Sequence, residues 1–376
     1  MSSLRAVTLG EACSRLSSGT GITAKDIGEK GEFPVYGGNG IRGYSSEANF
    51  SGECAIIGRQ GAYCGNVRYF RGTARMSEHA IVACASREND TRFLAYLLST
   101  MNLGSLSGQA AQPGLSVKVL AQQQLLLPSV EVQRRIASVL GAIDDLITNS
   151  RRRAGVLEEM ARTVYREWFV YFRYPDHQRV SLVDSVLGPI PEGWAVGSVD
   201  AHIVLQRGFD LPFKDRAAGS VPVIGASGIQ GRHDIARANG PGVTTGRSGT
   251  VGLVNYVPED FWPLNTSLWV KEFRLATPRY AYFLLTELDL QRLASGAAVP
   301  SLDRKVVHAL PTVCPPADLI DRWDAAVLPL FEAGEVLRRQ AASLAAMRDL
   351  LLPGLVNCQI DLSGLDLDAL LQESAA

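Results

Sequence analysis

The sequence predicts an α+β fold in which two mixed α/β domains alternate with two long helices. A long amphipathic pattern lies in the middle of the chain, a set of glycine-rich motifs occurs twice in the same order, and a second helical pattern follows the second set. Repeats at this scale indicate a duplicated structural unit. The 376 residues suffice for two domains with cores of their own.

The central helix is predicted for residues 129–172. Its apolar residues, such as Val132 and Ile136, recur at three- and four-residue steps, with charged residues between them. The helix is expected to begin after Pro128 and to end before Pro175. About forty residues at roughly 1.5 Å each would span roughly 60 Å, more than one domain core needs. A partly buried bundle helix or a dimerising coiled coil would show the same pattern.

The repeat is clearest in two glycine-rich segments. Residues 33–43 return as residues 221–231, an offset of 221 − 33 = 188. The same offset carries residues 58–61, Gly-Arg-Gln-Gly, onto residues 246–249, Gly-Arg-Ser-Gly. Two further matches, at an offset of 300 − 113 = 187, are Pro113 with Pro300 and Pro128 with Pro315. Four matching blocks in one order indicate an internal duplication.

The repeat divides the chain into six segments. They are a first domain (1–128), the central helix (129–172), a connector (173–193), a second domain (194–314), a C-terminal helix (315–358) and an acidic tail (359–376). Two prolines and two glycines within residues 187–194 exclude a regular helix in the connector. Pro329 and Gly334 are expected to kink the C-terminal helix or to break it in two.

Composition limits the function classes. The formal charge is −1, but four acidic residues lie after Ile360, so the preceding part holds 37 basic and 38 − 4 = 34 acidic side chains. This mildly basic body permits nucleic-acid binding without requiring it. The six cysteines and five histidines lack the spacing of a zinc site. Since no secretory signal and no apolar run near 18 residues occurs, we expect a cytoplasmic protein with reduced thiols and no membrane contact.

The candidate binding residues lie in and near the repeated loops. Arg59 and Gln60 are flanked by glycines, which let the backbone approach a partner closely. In the DNA major groove, arginine can fork onto guanine and glutamine onto adenine, whereas other arginines can hold phosphates. A tight turn with a surface arginine would explain one such loop, but the loop recurs with Arg247 and Ser248. The predicted DNA-binding residues are Asn39, Arg42, Tyr44, Arg59, Gln60, Arg68, Arg71 and Arg75 in the first domain and Ser227, Gln230, Arg232, Arg247 and Ser248 in the second.

Motifs for catalysis are missing from the sequence. There is no Gly-Lys dipeptide for a nucleotide-binding Walker loop and no Asn-Pro-Pro-aromatic motif of an amino-methyltransferase. Residues 303–305, Asp-Arg-Lys, have no suitably spaced acidic partner for a nuclease site. Two candidate binding domains with long helices and no catalytic motif are typical of a targeting subunit.

These segments resemble the specificity (S) subunit, HsdS, of type I restriction–modification enzymes. The resemblance rests on Leu187-Gly-Pro-Ile-Pro-Glu-Gly-Trp194, the two Gly-Arg-x-Gly loops, Trp262-Pro-Leu-Asn-Thr266 and Arg348-Asp-Leu-Leu-Leu-Pro353. In one respect the chain differs from the family pattern. The first domain starts near Val7, without an Ile-Pro-x-Gly-Trp segment of its own.

The resemblance implies two target-recognition domains joined by two long antiparallel helices that form a coiled coil, with an internal pseudo-twofold repeat. Each domain would read one half of a bipartite site in double-stranded DNA. The helices would fix the spacing of the half-sites and dock two modification (methyltransferase) subunits, with restriction/translocase subunits as further partners. This chain would be non-catalytic and hold no cofactor, while its partner subunits would use S-adenosylmethionine, ATP and Mg2+ in phage defence.

Two alternatives come from other classes of protein. One is an enzyme in which a domain contains a nuclease or another hydrolase. The other is a two-headed phage-defence adaptor or scaffold that does not target DNA methylation.

Overall fold

The computed structural model describes residues 4–107, 114–296 and 300–362. The chain forms two compact units: unit 1 comprises Met1–Arg152 with Leu337–Ala376, and unit 2 comprises Arg153–Val336. Each unit contains one mixed α/β domain and a part of each long helix. Among the residues described, no helix is both long enough and apolar enough to cross a membrane. Pro113 and the acidic tail from residue 363 onwards lie outside the described residues.

In the described part of the first half of the chain there are eight strands and four α-helices. The strands are β1 Arg5–Thr8, β2 Cys13–Ser18, β3 Phe33–Gly37, β4 Gly40–Ser45, β5 Phe50–Gly58, β6 Val67–Met76, β7 Ala80–Ala85 and β8 Gln124–Leu127. The helices are α1 Leu9–Ala12, α2 Thr91–Thr100, α3 Val117–Ala121 and α4 Val130–Tyr165, and α4 is followed by a π-helical turn at Arg166–Val170.

The second half repeats this order of elements. Its strands are β9 Leu182–Val183, β10 Ile190–Pro191, β11 Ala195–Ser198, β12 Ile203–Arg207, β13 Val221–Gly225, β14 Gly228–His233, β15 Gly242–Gly246, β16 Val254–Val257, β17 Trp262–Pro263, β18 Ser267–Phe273 and β19 Pro311–Cys314. Its helices are α5 Val199–His202, α6 Pro278–Glu287, α7 Arg304–His308 and α8 Ala317–Val356.

The sheets of the two units have the same connectivity. The six-stranded sheet of unit 1 has the order β2-β7-β5-β6-β3-β4, whereas unit 2 divides the same arrangement into β12-β18-β15-β16 and β14-β13-β17. A parallel pairing occurs at the same place in both, between Val35 and Arg75 and between Val223 and Trp262. The predicted fold class of two mixed α/β domains with an internal repeat is therefore confirmed.

Within each unit, the parts of the long helices that it contains run antiparallel. In unit 1, Asp144 pairs with Arg348, and Ala137, seven residues earlier, shares a core with Leu355, seven residues later. In unit 2, the rings of Tyr165 and Trp323 lie 5.7 Å apart in a core that also contains Ala161 and Val327.

Helix α2 shows how a sheet is attached to a long helix. The Asp90 side chain caps α2 by accepting from the Phe93 N–H at 2.8 Å. Six consecutive residues of α2, Phe93 to Leu98, are buried and belong to the core that also contains Ile57 of β5 and Ile136 of α4. The sheet, α2 and α4 thus share one core, so strand ends and loops are held on a rigid support.

The sequence predicted that Pro329 and Gly334 would kink the C-terminal helix or break it in two, and the break does not occur, because α8 is continuous from Ala317 to Val356. A proline inside a helix removes one backbone donor and leaves the carbonyl four residues earlier without its partner. Pro329 and Ala325 both lie on the exposed face, where water can satisfy that carbonyl. On the opposite face, buried Val327 and Phe331 pack into the core and hold the helix in place.

Candidate nucleic-acid interface

The two Gly-Arg-x-Gly loops have the same backbone framework. Each loop follows a central strand, β5 or β15, and the N–H of its first glycine donates across the loop, from Gly58 to Asn66 and from Gly246 to Leu253. The arginine N–H then donates to the neighbouring strand connection, from Arg59 to the His79 carbonyl at 2.9 Å and from Arg247 to the Thr266 carbonyl at 2.8 Å. These matching bonds fix the backbone of both loops.

A third segment is attached to each loop in the same way. The Arg59 carbonyl accepts from Leu115, and the Arg247 carbonyl accepts from Leu302, both at 2.8 Å. Gln60 forms a bridge with Gly114, and Ser248 forms one with Ser301. Gly114 and Leu115 in the first copy, and Ser301 and Leu302 in the second, therefore support the arginine loops.

The first glycine of each loop is required by packing. A Cβ atom on Gly58 would overlap the Tyr63 carbonyl, and one on Gly246 would overlap the Thr250 carbonyl. Both glycines also approach the turn of the adjacent hairpin, at Gly38 in unit 1 and at Ala226 in unit 2. The hairpin turn and the arginine loop therefore lie against each other in both units.

In unit 1 the hairpin contributes polar side chains beside Arg59. Asn39 is exposed in the turn between β3 and β4, and the Arg42 side chain lies across Gly37. The Arg68 guanidinium of β6 lies against Gly40. Burial raises the pKa of nearby Tyr36, and the positive charge of Arg68 opposes this effect. Asn39, Arg42 and Arg68 thus border the loop that carries Arg59 and Gln60.

Three predicted residues of unit 1 lie elsewhere. Arg71 is an exposed residue that pairs with Glu53 at 3.4 Å. Arg75 pairs with Glu47 at 3.4 Å, and it lines a separate pocket together with Tyr44. The sequence prediction assigned Tyr44 to the other repeated loop and Arg71 and Arg75 to phosphate contacts, whereas β4 and β6 place these residues away from the hairpin turn.

In unit 2 the corresponding turn contains Ser227 and Gln230. Both are exposed, the Gln230 side chain lies across Gly225 as Arg42 does across Gly37, and its Nε2 donates to Ser227 Oγ at 3.4 Å. Arg232 lies nearer the base of this hairpin and donates to the Ser220 carbonyl. Ser227, Gln230, Arg247 and Ser248 therefore come together, and Arg232 lies apart from them.

The structure also identifies polar residues that sequence analysis missed. Asn255 of β16 takes the place of Arg68, with its Oδ1 beside Gly228. The arginine loop is one residue shorter in the second copy, so the offset changes from 188 to 187 between the loop and this strand, and 255 − 68 = 187. Realigning the copies after the loop would have found this residue.

Each arginine loop borders a cleft with further basic side chains. The cleft beside Arg59 has a volume of about 700 Å3 and is lined by Lys118. The cleft beside Arg247 has a volume of about 790 Å3 and is lined by Arg207 and Arg304. The three added residues are exposed, so their charges face solvent.

The segment considered for a nuclease has a structural role. The Asp303 side chain accepts from the Lys305 N–H at 2.9 Å and caps helix α7. This role accounts for an acidic residue beside two basic ones without a catalytic function.

The first part of the chain matches a model of a known protein family. Residues 2–159 match the model of the type I restriction modification DNA specificity domain. The chain is similar to the specificity subunits of type I restriction enzymes. The matched range contains the first arginine loop, its hairpin and most of helix α4.

Two relatives and one solved structure extend the comparison. The specificity subunit of the type I restriction enzyme EcoprrI from Escherichia coli is 42% identical over 147 residues, which are 38% of this chain and 36% of the relative. The subunit of MjaIX from Methanocaldococcus jannaschii is 24% identical over 71% of this chain and 68% of the relative. The fold is similar to the crystal structure of a type I restriction–modification S subunit from M. genitalium, with a TM-score of 0.60, 15% identity, and coverage of 94% and 96% of the two chains.

Proposed function

We propose that this chain supplies DNA-sequence specificity to a type I restriction–modification system and catalyses no reaction itself. Each recognition domain reads one half of a bipartite site in double-stranded DNA. The observation that carries this proposal is the pair of arginine loops, whose backbone hydrogen bonds coincide while their polar side chains differ. A constant backbone with variable side chains suits two domains that read two different sequences.

The side chains at these loops have the chemistry of base recognition. Arginine can donate two hydrogen bonds to guanine, and glutamine can both donate to and accept from adenine. Unit 1 presents Arg59 and Gln60, whereas unit 2 presents Arg247 and Ser248, and Arg42 of the first hairpin is replaced by Gln230 of the second. The two units would therefore prefer different bases.

The basic residues around the loops fit contacts with the DNA backbone. In unit 1, Arg68 lies against Gly40 of the hairpin turn and Lys118 lines the cleft beside the loop, and in unit 2 Arg207 and Arg304 line the cleft. Exposed basic side chains bind phosphates and fix the register of a protein on DNA without reading sequence. We assign contacts with base edges to Arg59, Gln60, Arg247 and Ser248. Contacts with phosphates are assigned to Arg68, Lys118, Arg207 and Arg304.

The long helices have the other two roles that we propose, which are spacing the half-sites and docking partner subunits. Helices α4 and α8 would fix the spacing between the half-sites and dock two methyltransferase subunits, with restriction/translocase subunits joining the complex. S-adenosylmethionine, ATP and Mg2+ would act in those partners. The match of residues 2–159 to the specificity-domain model supports this assignment, and so do the lengths of the helices, 36 and 40 residues.

The test is a pair of matched variants in the complex with the methyltransferase subunits. Arg59→Ala should relax recognition of one half-site, and Arg247→Ala should relax recognition of the other, each at a cost of about 1–3 kcal/mol in specific binding if the contact is bidentate. Adenine-methylation maps in a methylation-free host would show the change. If the double variant keeps both its duplex affinity and its methylation motif, the loops do not read DNA and the adaptor function gains support.

A further inference from the structure

The Glu78-His79 dipeptide engages both candidate base-reading side chains of unit 1. His79 Nδ1 lies 3.1 Å from Gln60 Oε1. Arg59 Nη1 donates to the Glu78 carbonyl at 3.3 Å, in addition to the backbone bond between Arg59 and His79. Adjacent loop residues are thus held by adjacent residues of the turn that precedes β7.

The dipeptide is itself fixed in place. His79 Nε2 lies 3.1 Å from Glu78 Oε1, and Glu78 Oε2 accepts from the Ile22 N–H at 3.3 Å. The His79 N–H donates to the Oγ of Ser77, which is completely buried. The imidazole is therefore oriented on one side by a carboxylate and presents its other nitrogen to Gln60.

We propose that His79, oriented by Glu78, is a positioning residue that fixes which edge of the Gln60 amide faces DNA. This inference rests on the proposed function. A glutamine reads adenine only when its amide oxygen faces the exocyclic N6 and its nitrogen faces N7, so an amide that rotates freely loses this discrimination. When both ring nitrogens carry protons, Nε2–H donates to Glu78 Oε1 and Nδ1–H donates to Gln60 Oε1, which allows one orientation of the amide and excludes its flipped form.

Unit 2 provides an internal comparison. The residue that corresponds to His79 is Thr266, whose Oγ1 accepts from the Ala226 N–H at 3.3 Å. The residue that corresponds to Gln60 is Ser248, which carries no amide to orient. The imidazole thus occurs in the unit whose loop carries a glutamine.

The experiment compares His79→Leu with His79→Asn in the full complex with its methyltransferase subunits. Leucine has nearly the shape of asparagine but no donor, whereas the asparagine amide can place an N–H near the position of Nδ1. A Gln60→Ala variant first identifies the base pair that Gln60 reads. Binding is then measured with duplexes that carry the matched base pair or a substituted one at that position, and with duplexes altered in the second half-site.

His79→Leu should lower discrimination at the Gln60 base pair about tenfold, and His79→Asn should keep it within about threefold of the wild type. Discrimination in the second half-site should stay unchanged, which shows that the complex is folded. Full discrimination by His79→Leu, or equal defects in both variants, would overturn the positioning role. If the wild-type complex has no split recognition motif, the proposed function itself fails. If the wild-type complex has such a motif and His79→Leu keeps full discrimination, only the positioning role fails.

Discussion

Gln133 of helix α4 donates from its Nε2 to Asn89 Oδ1 at 3.0 Å, and both side chains are buried. The same amide donates to the Pro128 carbonyl at 2.9 Å and accepts from the Asp90 N–H at 2.9 Å. Asn89 in turn donates to the Ala12 carbonyl. One buried network therefore joins the start of the long helix to the cap of α2 and to the C-terminal end of α1.

Replacing Gln133 with leucine should destabilise unit 1 by about 2–3 kcal/mol, because it leaves buried donors and acceptors without partners. Hydrogen exchange of the α2 and α4 amides measures this loss. Gln122→Leu is the control, since Gln122 is exposed. Equal protection in the two variants would show that the network contributes little.

Arg92 makes a second connection between α2 and α4. Its Nη2 donates to the Gly141 carbonyl and to Asp145 Oδ1, both at 3.0 Å, and its guanidinium lies over the Tyr69 ring. The Asp145 side chain is 72% exposed, so solvent screens the ion pair, and the carbonyl and ring contacts should dominate.

We therefore expect Arg92→Met to cost about 1–2 kcal/mol and Asp145→Asn to cost less than about 0.5 kcal/mol. The loss of unfolding free energy in each of these two variants can be measured by hydrogen exchange of the amides in unit 1. Arg87→Met serves as the surface control because Arg87 is exposed. A larger loss for Asp145→Asn than for Arg92→Met would contradict this assignment.

Gly58 and Gly155 form a matched pair for glycine-to-alanine substitution. A Cβ on Gly58 would overlap the Tyr63 carbonyl, whereas nothing lies within 4 Å of a Cβ on Gly155 in α4. Gly58→Ala should displace the arginine loop and weaken recognition of the first half-site only. Gly155→Ala should stabilise the helix by about 0.5–1 kcal/mol and leave recognition unchanged.

Binding to duplexes altered in one half-site at a time measures the effect on recognition, and thermal unfolding measures the effect on stability. If Gly58→Ala affects both half-sites equally, the change is a general loss of folding rather than a local displacement.

The stability of unit 2 should depend on pH, because two of its histidines have lowered pKa values. Burial lowers the pKa of His202, whose ring stacks on Tyr280, below its ordinary value of 6.5. Burial also lowers the pKa of His308, whose Nε2 accepts the Leu205 N–H at 2.8 Å. The unfolded chain therefore takes up protons that the folded unit resists. The stability of unit 2 should be full above about pH 6.5 and should decrease as the pH falls below that value.

Tryptophan fluorescence can follow this transition, because all five tryptophans lie between residues 168 and 323 of unit 2. His202→Phe keeps an aromatic ring beside Tyr280 and removes one titrating group, so it should weaken the pH dependence and leave the contribution of His308. An unchanged pH profile in His202→Phe would contradict the assignment.

The sequence was sufficient to predict the repeat, the long helices and the two loops, because each depends on a local pattern. Glycines mark positions where a Cβ would clash, and apolar spacing marks the buried face of a helix. These features are properties of short segments.

Features that depend on tertiary contacts could not be predicted. Pro329 does not break α8 because its neighbours are held in a core formed by distant residues. Arg75 does not lie at the arginine loop, because β6 places its side chain beside Glu47. The link between Gln60 and His79 joins residues that are 19 positions apart, and no local pattern indicates it.

The most direct test of the central claim is a genome-wide map of adenine methylation in a methylation-free host that expresses this chain with its methyltransferase subunit. We expect a single split motif with a fixed gap, which disappears when this chain is omitted. Methylation without such a motif, from a soluble and correctly assembled complex, would contradict the account.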